Sequence, residues 1–317
     1  MVNILITGGS GFVGENLLNA LYGHSVFCLG RTKPNNLQKG FHFLLLKHYE
    51  KNYRRALTNV DCIIHASARV HVMNDGSTDP LEEFRVVNTY DVLNLAKQAV
   101  ASGVKRFIYI SSIKVNGEAT VLGSPFKSSG QRLPKDFYGQ SKSEAEEQLL
   151  QLAGNTGLEV VIIRPTLVYG PGVKANFASL MNLASKGVPL PFGCITQNKR
   201  SLVSVTNLVD LIITCIDHPK AANQVFLVSD DYDVSTSEMV CEMAKALDKP
   251  TWQLPIPIWC YKLVGKLFNK SDVVDRLTGS LQVDISHTKE TLGWKPPQTL
   301  KEGFKQTAQA FLQAKTK

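Results

Sequence analysis

Several features are missing, and each absence removes a class of protein. Six cysteines lie in 317 residues, at Cys28, Cys62, Cys194, Cys215, Cys241 and Cys260, with no close pair among them. This excludes the disulfide framework of a small secreted domain and reads as reduced core thiols in a cytoplasm. Seven histidines show neither HExxH nor any other ligand spacing, so no metal is expected. No window approaches the roughly 18 apolar residues of a membrane-spanning helix. The opening MVNILITGG lacks the basic region and cleavage site of a signal peptide and reads as a strand. The net charge is +8, yet lysine and arginine are scattered, without a basic tract or an aromatic-interleaved stripe. Nucleic-acid binding is therefore not expected, and an anionic small substrate or cofactor accounts for the charge equally well. There is no internal repeat and no low-complexity linker. What remains, 44% hydrophobic and 20% charged, suits a soluble chain with a core large enough for one big or two intimate domains.

The stretch TGGSGFVG, Thr7 to Gly14, organises the rest. It follows the apolar run Val2–Ile6 and precedes a helix-like pattern at Phe12, Val13, Leu17, Leu18 and Leu21. A strand, a glycine-rich turn and a helix open a dinucleotide-binding unit. Gly8 permits the turn, Gly11 lets backbone approach a pyrophosphate, and Gly14 brings helix against strand. Ser10, Phe12 and Val13 complete a set of backbone amides at a helix N-terminus, where phosphates bind. The spacing is G-x-x-G-x-x-G, not the commoner G-x-G-x-x-G.

Further strands are expected at Val26–Leu29, Phe43–Leu46, Val60–Ala68 and Arg106–Ile110. A long helix is expected from Pro80 to about Ser102. Alternating strands and helices predict an α/β fold with a doubly wound parallel sheet, whose ligands bind at the carboxyl ends of the strands. Ala66, Ser67 and Ala68 are small enough for a cofactor to lie over the sheet edge. His65 reads as a packed strand-end histidine. The second strand ends in Arg31, with no acid where NAD enzymes place one, about 20 residues past the glycines. This favours NADP(H), with NAD as the alternative.

The fifth strand ends in Ser111-Ser112. A polar loop, Val115 to Asp136, precedes Tyr138-Gly-Gln-Ser-Lys142, whose Tyr and Lys share one helix face. Ser112, Tyr138 and Lys142 form a proton-transfer set. A phenol is a poor base at neutral pH, but a neighbouring ammonium favours the phenolate. A shift of about three pH units requires roughly 4 kcal/mol, which Lys142, an oxidised cofactor's charge and burial could supply. Ser112 would hold the substrate oxygen while Tyr138 exchanges its proton as hydride moves.

The motifs TGGSGFVG, DCIIHASA, Val87-Asn88, YISS, YGQSK, RPTLVYGPG and LGWKP together resemble the extended short-chain dehydrogenase/reductases, especially those acting on nucleotide sugars, over nearly the full length. The resemblance implies a Rossmann domain at 1–165, with a strand-and-helix return at about 201–228, and a smaller, interleaved substrate-binding cap at 166–317. It implies catalytic roles for Ser112, Tyr138 and Lys142. It implies cofactor contacts at Asn88, Ser111, Pro165, Thr166, Leu167 and Val168, with Lys142 also on the nicotinamide ribose. Asn176, Arg200 and Arg276 are the implied substrate-phosphate contacts, which suits arginine's bidentate geometry. It also implies a homodimer. The segment Pro255–Trp259 leads into an apolar-basic helix, read as part of the cap in preference to a membrane-surface contact.

There are departures from the family pattern. Ile113-Lys114 replaces the Asp-Glu of members that dehydrate the sugar, so 4,6-dehydratase activity is not expected. Asn116 replaces the tyrosine of V-Y-G, and Lys47-His48 stands where an Asp often meets adenine. Two functions follow. The favoured one is an NADPH-dependent 4-ketoreductase of a UDP-linked 4-keto sugar. The alternative is a UDP-hexose 4-epimerase with tightly held NAD. A non-enzymatic NADP sensor, the remote third reading, would be expected to have lost Tyr138 or Lys142.

Overall fold

The computed structural model describes residues 1–46, 51–70 and 79–315. Ten strands occur among them: β1 Asn3–Thr7, β2 Ser25–Gly30, β3 His42–Leu45, β4 Cys62–His65, β5 Arg106–Ile110, β6 Glu159–Pro165, β7 Leu167–Tyr169, β8 Arg200–Ser204, β9 Gln224–Val228 and β10 Asp233–Val234. The helices are α1 Phe12–Ala20, α2 Pro80–Arg85, α3 Asp91–Ala101, α4 Phe137–Asn155, α5 Ala175–Ala184, α6 Val205–Asp217, α7 Thr236–Ala246, α8 Ile258–Leu267, α9 Ser271–Thr278, α10 Ser286–Leu292 and α11 Leu300–Lys315.

Seven strands form one sheet in the order β3-β2-β1-β4-β5-β6-β9, and every pair in it is parallel. The expected doubly wound α/β sheet is present. Its strands are continuously apolar because both faces are covered. Ile4 and Ile6 point into the layer that includes Leu17 and Leu208, whereas Leu5 points into the layer of Leu95 and Leu149. Strand order reverses between β1 and β4, which opens the crevice where such sheets bind ligands.

A second sheet, β10-β8-β7, packs with α5, α7 and α11 around Tyr169, Phe177, Met243 and Phe304. The chain returns to the large sheet through α6 and β9. Residues 201–204, expected within that return, belong instead to β8 of the small sheet. The loop between β5 and α4 is fastened to the stretch before α10, because Phe126 N–H donates to the Gln282 carbonyl at 2.9 Å and Thr120 N–H to that of Ser280 at 2.8 Å.

Two expected elements differ. β4 ends at His65, since Ala66–Ala68 leave the ladder to approach the glycine-rich turn. The long helix is interrupted by a π-helical turn over Val86–Tyr90. One extra residue per turn lets two successive polar side chains face α4. Asn88 donates to Ser141 Oγ at 3.0 Å and Thr89 to the Ser141 carbonyl at 2.8 Å.

Candidate active site

The cofactor side is built by leaving side chains out. Gly8 has φ +76°, and a Cβ there would lie 2.5 Å from Ser67 N. A Cβ on Gly14 would lie 2.1 Å from the Gly8 carbonyl oxygen. The β1 turn, the β4 end and α1 can meet only because these positions are glycine. Gly11 is the N-cap of α1, and no side chain caps that end. The first amide to bond within the helix is that of Glu15, to the Gly11 carbonyl at 2.8 Å. The N–H groups of Phe12, Val13 and Gly14 thus stand at the positive end of the helix dipole, suited to a phosphate. A cleft of about 350 Å³ continues from this turn past Ser10, Gly30, Arg31, Ser67, Val87 and Asp91. These residues fit a dinucleotide.

Arg31 is exposed at the rim of that cleft. Asp91, on α3, is paired with Lys51 at 2.8 Å. Lys47 and His48 lie outside the described residues. His65 is a packed histidine, as expected: its Nδ1 is 2.9 Å from Thr7 Oγ1. Burial, followed by the charge of Lys142, pushes its pKa down to about 3, so it is neutral.

The proton-transfer set lies at the carboxyl end of β5. Ser111 N–H continues the ladder to the Ile163 carbonyl at 2.8 Å. Ser112 is extended and accepts from Lys114 N–H at 3.2 Å, closing the short turn Ile113–Val115. Asp136 caps α4 by accepting from Gly139 N–H at 2.7 Å and is ion-paired with Lys114. A Cβ on Gly139 would lie 2.8 Å from the Lys114 carbonyl oxygen. This contact between turn and helix sets Ser112 against the start of α4, where Tyr138 lies. Tyr138 is half-buried. Burial, expected to help lower the phenol, raises it instead: burial and then the Asp136 carboxylate push it up to about 12, and the Ser112 hydroxyl opposes them. Lys142, one turn on, is buried. Its Nζ donates to the Ile110 carbonyl at 2.8 Å and sits 4.4 Å from the Tyr109 ring centroid. Burial pushes Lys142 down to about 7, against the opposing pull of Glu146.

Below these residues is a network that the sequence reading missed. Glu146, one turn beyond Lys142, is fully buried and paired with Arg164 of β6 through Nη2–Oε2 at 2.5 Å and Nε–Oε1 at 2.9 Å. Arg164 also donates to Asn116 Oδ1 at 2.9 Å, and Ser111 Oγ donates to Glu146 Oε1 at 2.5 Å. Two signals were available. Glu146 continues the i, i+4 series from Tyr138 and Lys142, and Arg164 is a charge ending an apolar strand.

The remaining expected site residues divide. Asn88 is corrected: its side chain holds the Arg69 backbone, accepting from N–H at 2.8 Å and donating to the carbonyl at 3.0 Å. With its third bond to Ser141, both amide N–H groups are used and the side chain braces the site from beneath. The Ser111 hydroxyl is likewise committed to Glu146. Thr166 is buried and bonds the Val228 carbonyl at 3.3 Å, Pro165 is buried, Val168 is partly exposed, and Leu167 is exposed. Ala66 and Ala68 are partly exposed beside Ser67. The Asn176 side chain lies outside the described residues. Arg200 donates to the carbonyls of Arg276 at 2.8 Å and Gly279 at 3.2 Å. Burial and the charge of Arg276 both disfavour its protonated form. Among the described residues neither arginine is in an ion pair. β8 pairs Leu202 with Leu167, which sets Arg200 near the end of β6.

Fold and site together define a dinucleotide-dependent enzyme of the short-chain dehydrogenase/reductase class. Residues 4–229 match the NAD dependent epimerase/dehydratase family, and the chain belongs to that family. It is 65% identical to a UDP-glucose 4-epimerase of Vibrio cholerae, over 98% of this chain and 96% of that one. Among solved structures it is similar to a UDP-glucose 4-epimerase from Thermotoga maritima bound to UDP-glucose (TM-score 0.79, 23% identity, 99% of both chains). It is also similar to a UDP-glucuronic acid 4-epimerase from Bacillus cereus bound to NAD (TM-score 0.78, 18% identity, 99% of both chains).

Proposed function

We propose that this protein is a UDP-hexose 4-epimerase of the UDP-glucose type, working with retained NAD. The observation that carries the reading is the Ser112–Tyr138–Lys142 set beside the glycine cradle, in a chain 65% identical to a protein of that name. The favoured expectation of an NADPH-dependent 4-ketoreductase gives way. It rested on Arg31, and the 65% identity to a UDP-glucose 4-epimerase over nearly the full length outweighs that single residue.

The chemistry follows from the residues. Bound nicotinamide supplies a hydride acceptor in one direction and a donor in the other. Ser112 holds the C4 oxygen. Tyr138 removes the hydroxyl proton as the C4 hydride leaves, and returns it after the sugar has presented its other face. A phenol pushed up to about 12 is protonated at neutral pH and so holds the proton that is to be returned. It becomes a base when the positive charges of Lys142 and the oxidised cofactor stabilise the phenolate. In this reading, residues after Pro165, apart from α6 and β9, form the substrate cap. Arg200 and Arg276 there bind the diphosphate, leaving the hexose free to turn about its linkage.

The test is incubation with UDP-glucose and no added cofactor. The C4 epimer should accumulate to equilibrium. Failure to turn over UDP-glucose, with rapid NADPH consumption on a UDP-linked 4-keto sugar, would restore the reductase reading.

A further inference from the structure

α8 is exposed along most of its length. Of its ten residues only Gly265 is buried, where a Cβ would meet Val274 Cγ2 of α9 at 2.6 Å. Ile258 and Tyr261 rest partly on the Tyr169–Phe304 cluster, so α8 is attached through this side and through Gly265 against α9. Trp259, Leu263 and Leu267, at i, i+4 and i+8, form a stripe 65%, 61% and 77% exposed. Phe268 follows at 67%. A helix serving only to cap a substrate would turn such a stripe inward.

Charge accompanies the stripe. Lys262 and Lys266 flank it, and Lys270 follows the helix; all three are exposed. α8 contains no acid, and none of the three lysines is in an ion pair among the described residues. The nearest acids in the sequence, Asp272 and Asp275, are on α9. An apolar stripe headed by tryptophan and edged by lysine is the pattern of a helix lying in a membrane interface. No helix among the described residues is long and apolar enough to cross a membrane, so the contact is peripheral.

We propose that α8 seats the protein on an anionic bilayer surface, with Trp259, Leu263 and Leu267 in the headgroup–acyl boundary and the lysines on lipid phosphates. The charge complements an anionic lipid better than a second copy of this chain, whose own α8 would present the same lysines.

The test is co-sedimentation of the full-length protein with phosphatidylcholine vesicles, with or without about one-quarter phosphatidylglycerol. The expected result is sedimentation at least tenfold stronger with the anionic vesicles, reversed by salt. Trp259→Ser/Leu263→Ser/Leu267→Ser should stay in the supernatant while keeping the wild-type circular-dichroism spectrum and Tm. Lys262→Glu/Lys266→Glu, which alters only exposed charges, should weaken binding by about fivefold per site or more. Equal sedimentation with both vesicles, or a triple variant that binds like wild type, would overturn the proposal. A lipid-free dimer that the triple variant converts to monomer would also overturn it, by assigning the stripe to a second copy.

Discussion

At the end of β1 the site is made by omitting side chains; at the end of β5 it is made by burying charged ones. Around Gly8 and Gly14, backbone approaches backbone more closely than any Cβ permits, so the turn tolerates almost no substitution. Around Lys142 the interior holds an ammonium, a carboxylate and a guanidinium, with Glu146 and Arg164 at 0% and 3% exposure. The first device shapes a surface for a ligand's phosphates. The second fixes the height and charge of Lys142 beneath Tyr138. The difference is between tolerance of volume and tolerance of charge, and substitutions separate the two.

The largest effect is expected at the reacting group. Tyr138→Phe should lower turnover by about 10²–10⁴-fold, with fold and cofactor content unchanged, measured by epimerisation rate and by nucleotide content. Near-normal turnover would remove Tyr138 from the chemistry. Next is the buried pair. Glu146→Ala leaves Arg164 charged, with only the neutral Asn116 as a side-chain partner, and should cost about 3–5 kcal/mol in urea unfolding, whereas Glu146→Leu/Arg164→Met should recover most of it. A loss under about 1 kcal/mol for the single variant would show that the network is not taut. Gly14→Ala should cost about 1–3 kcal/mol through overpacking and should release bound dinucleotide. Ordinary retention would mean that α1 can move away from the turn.

The smallest effect is a pH slope. Folding lowers Lys142 from 10.5 to about 7, so between these values the unfolded chain binds a proton that the folded chain does not. The penalty from this group is full below about pH 7 and falls as pH rises towards 10.5. Wild-type stability should therefore gain about 2 kcal/mol from this group between pH 7 and 9, a gain that Lys142→Met lacks. Parallel slopes for the two proteins in chemical denaturation would contradict the burial argument.

The glycine device was legible in the sequence because its parts are consecutive and their spacing states their purpose. The alternation of strands and helices was legible for the same reason, as was the placing of Tyr138 and Lys142 one turn apart on one helix, with Ser112 just past the end of β5. The supporting network was not legible. Ser111, Asn116, Glu146 and Arg164 lie on four separate elements, and only the packing of α4 between β5 and β6 joins them. The π turn was hidden because Asn88 and Thr89 look like ordinary polar residues in a helix until Ser141 is placed opposite them. Arg31 was too little to choose a cofactor by, because one residue type at a strand end does not define a binding site.

The central claim is a site that oxidises and then reduces the same carbon with a nicotinamide it does not exchange. The direct measurement is to release the nucleotide from freshly purified protein and identify it by mass and absorbance. The prediction is NAD at close to one equivalent per chain. An empty site that binds NADPH tightly and NADH poorly would contradict it.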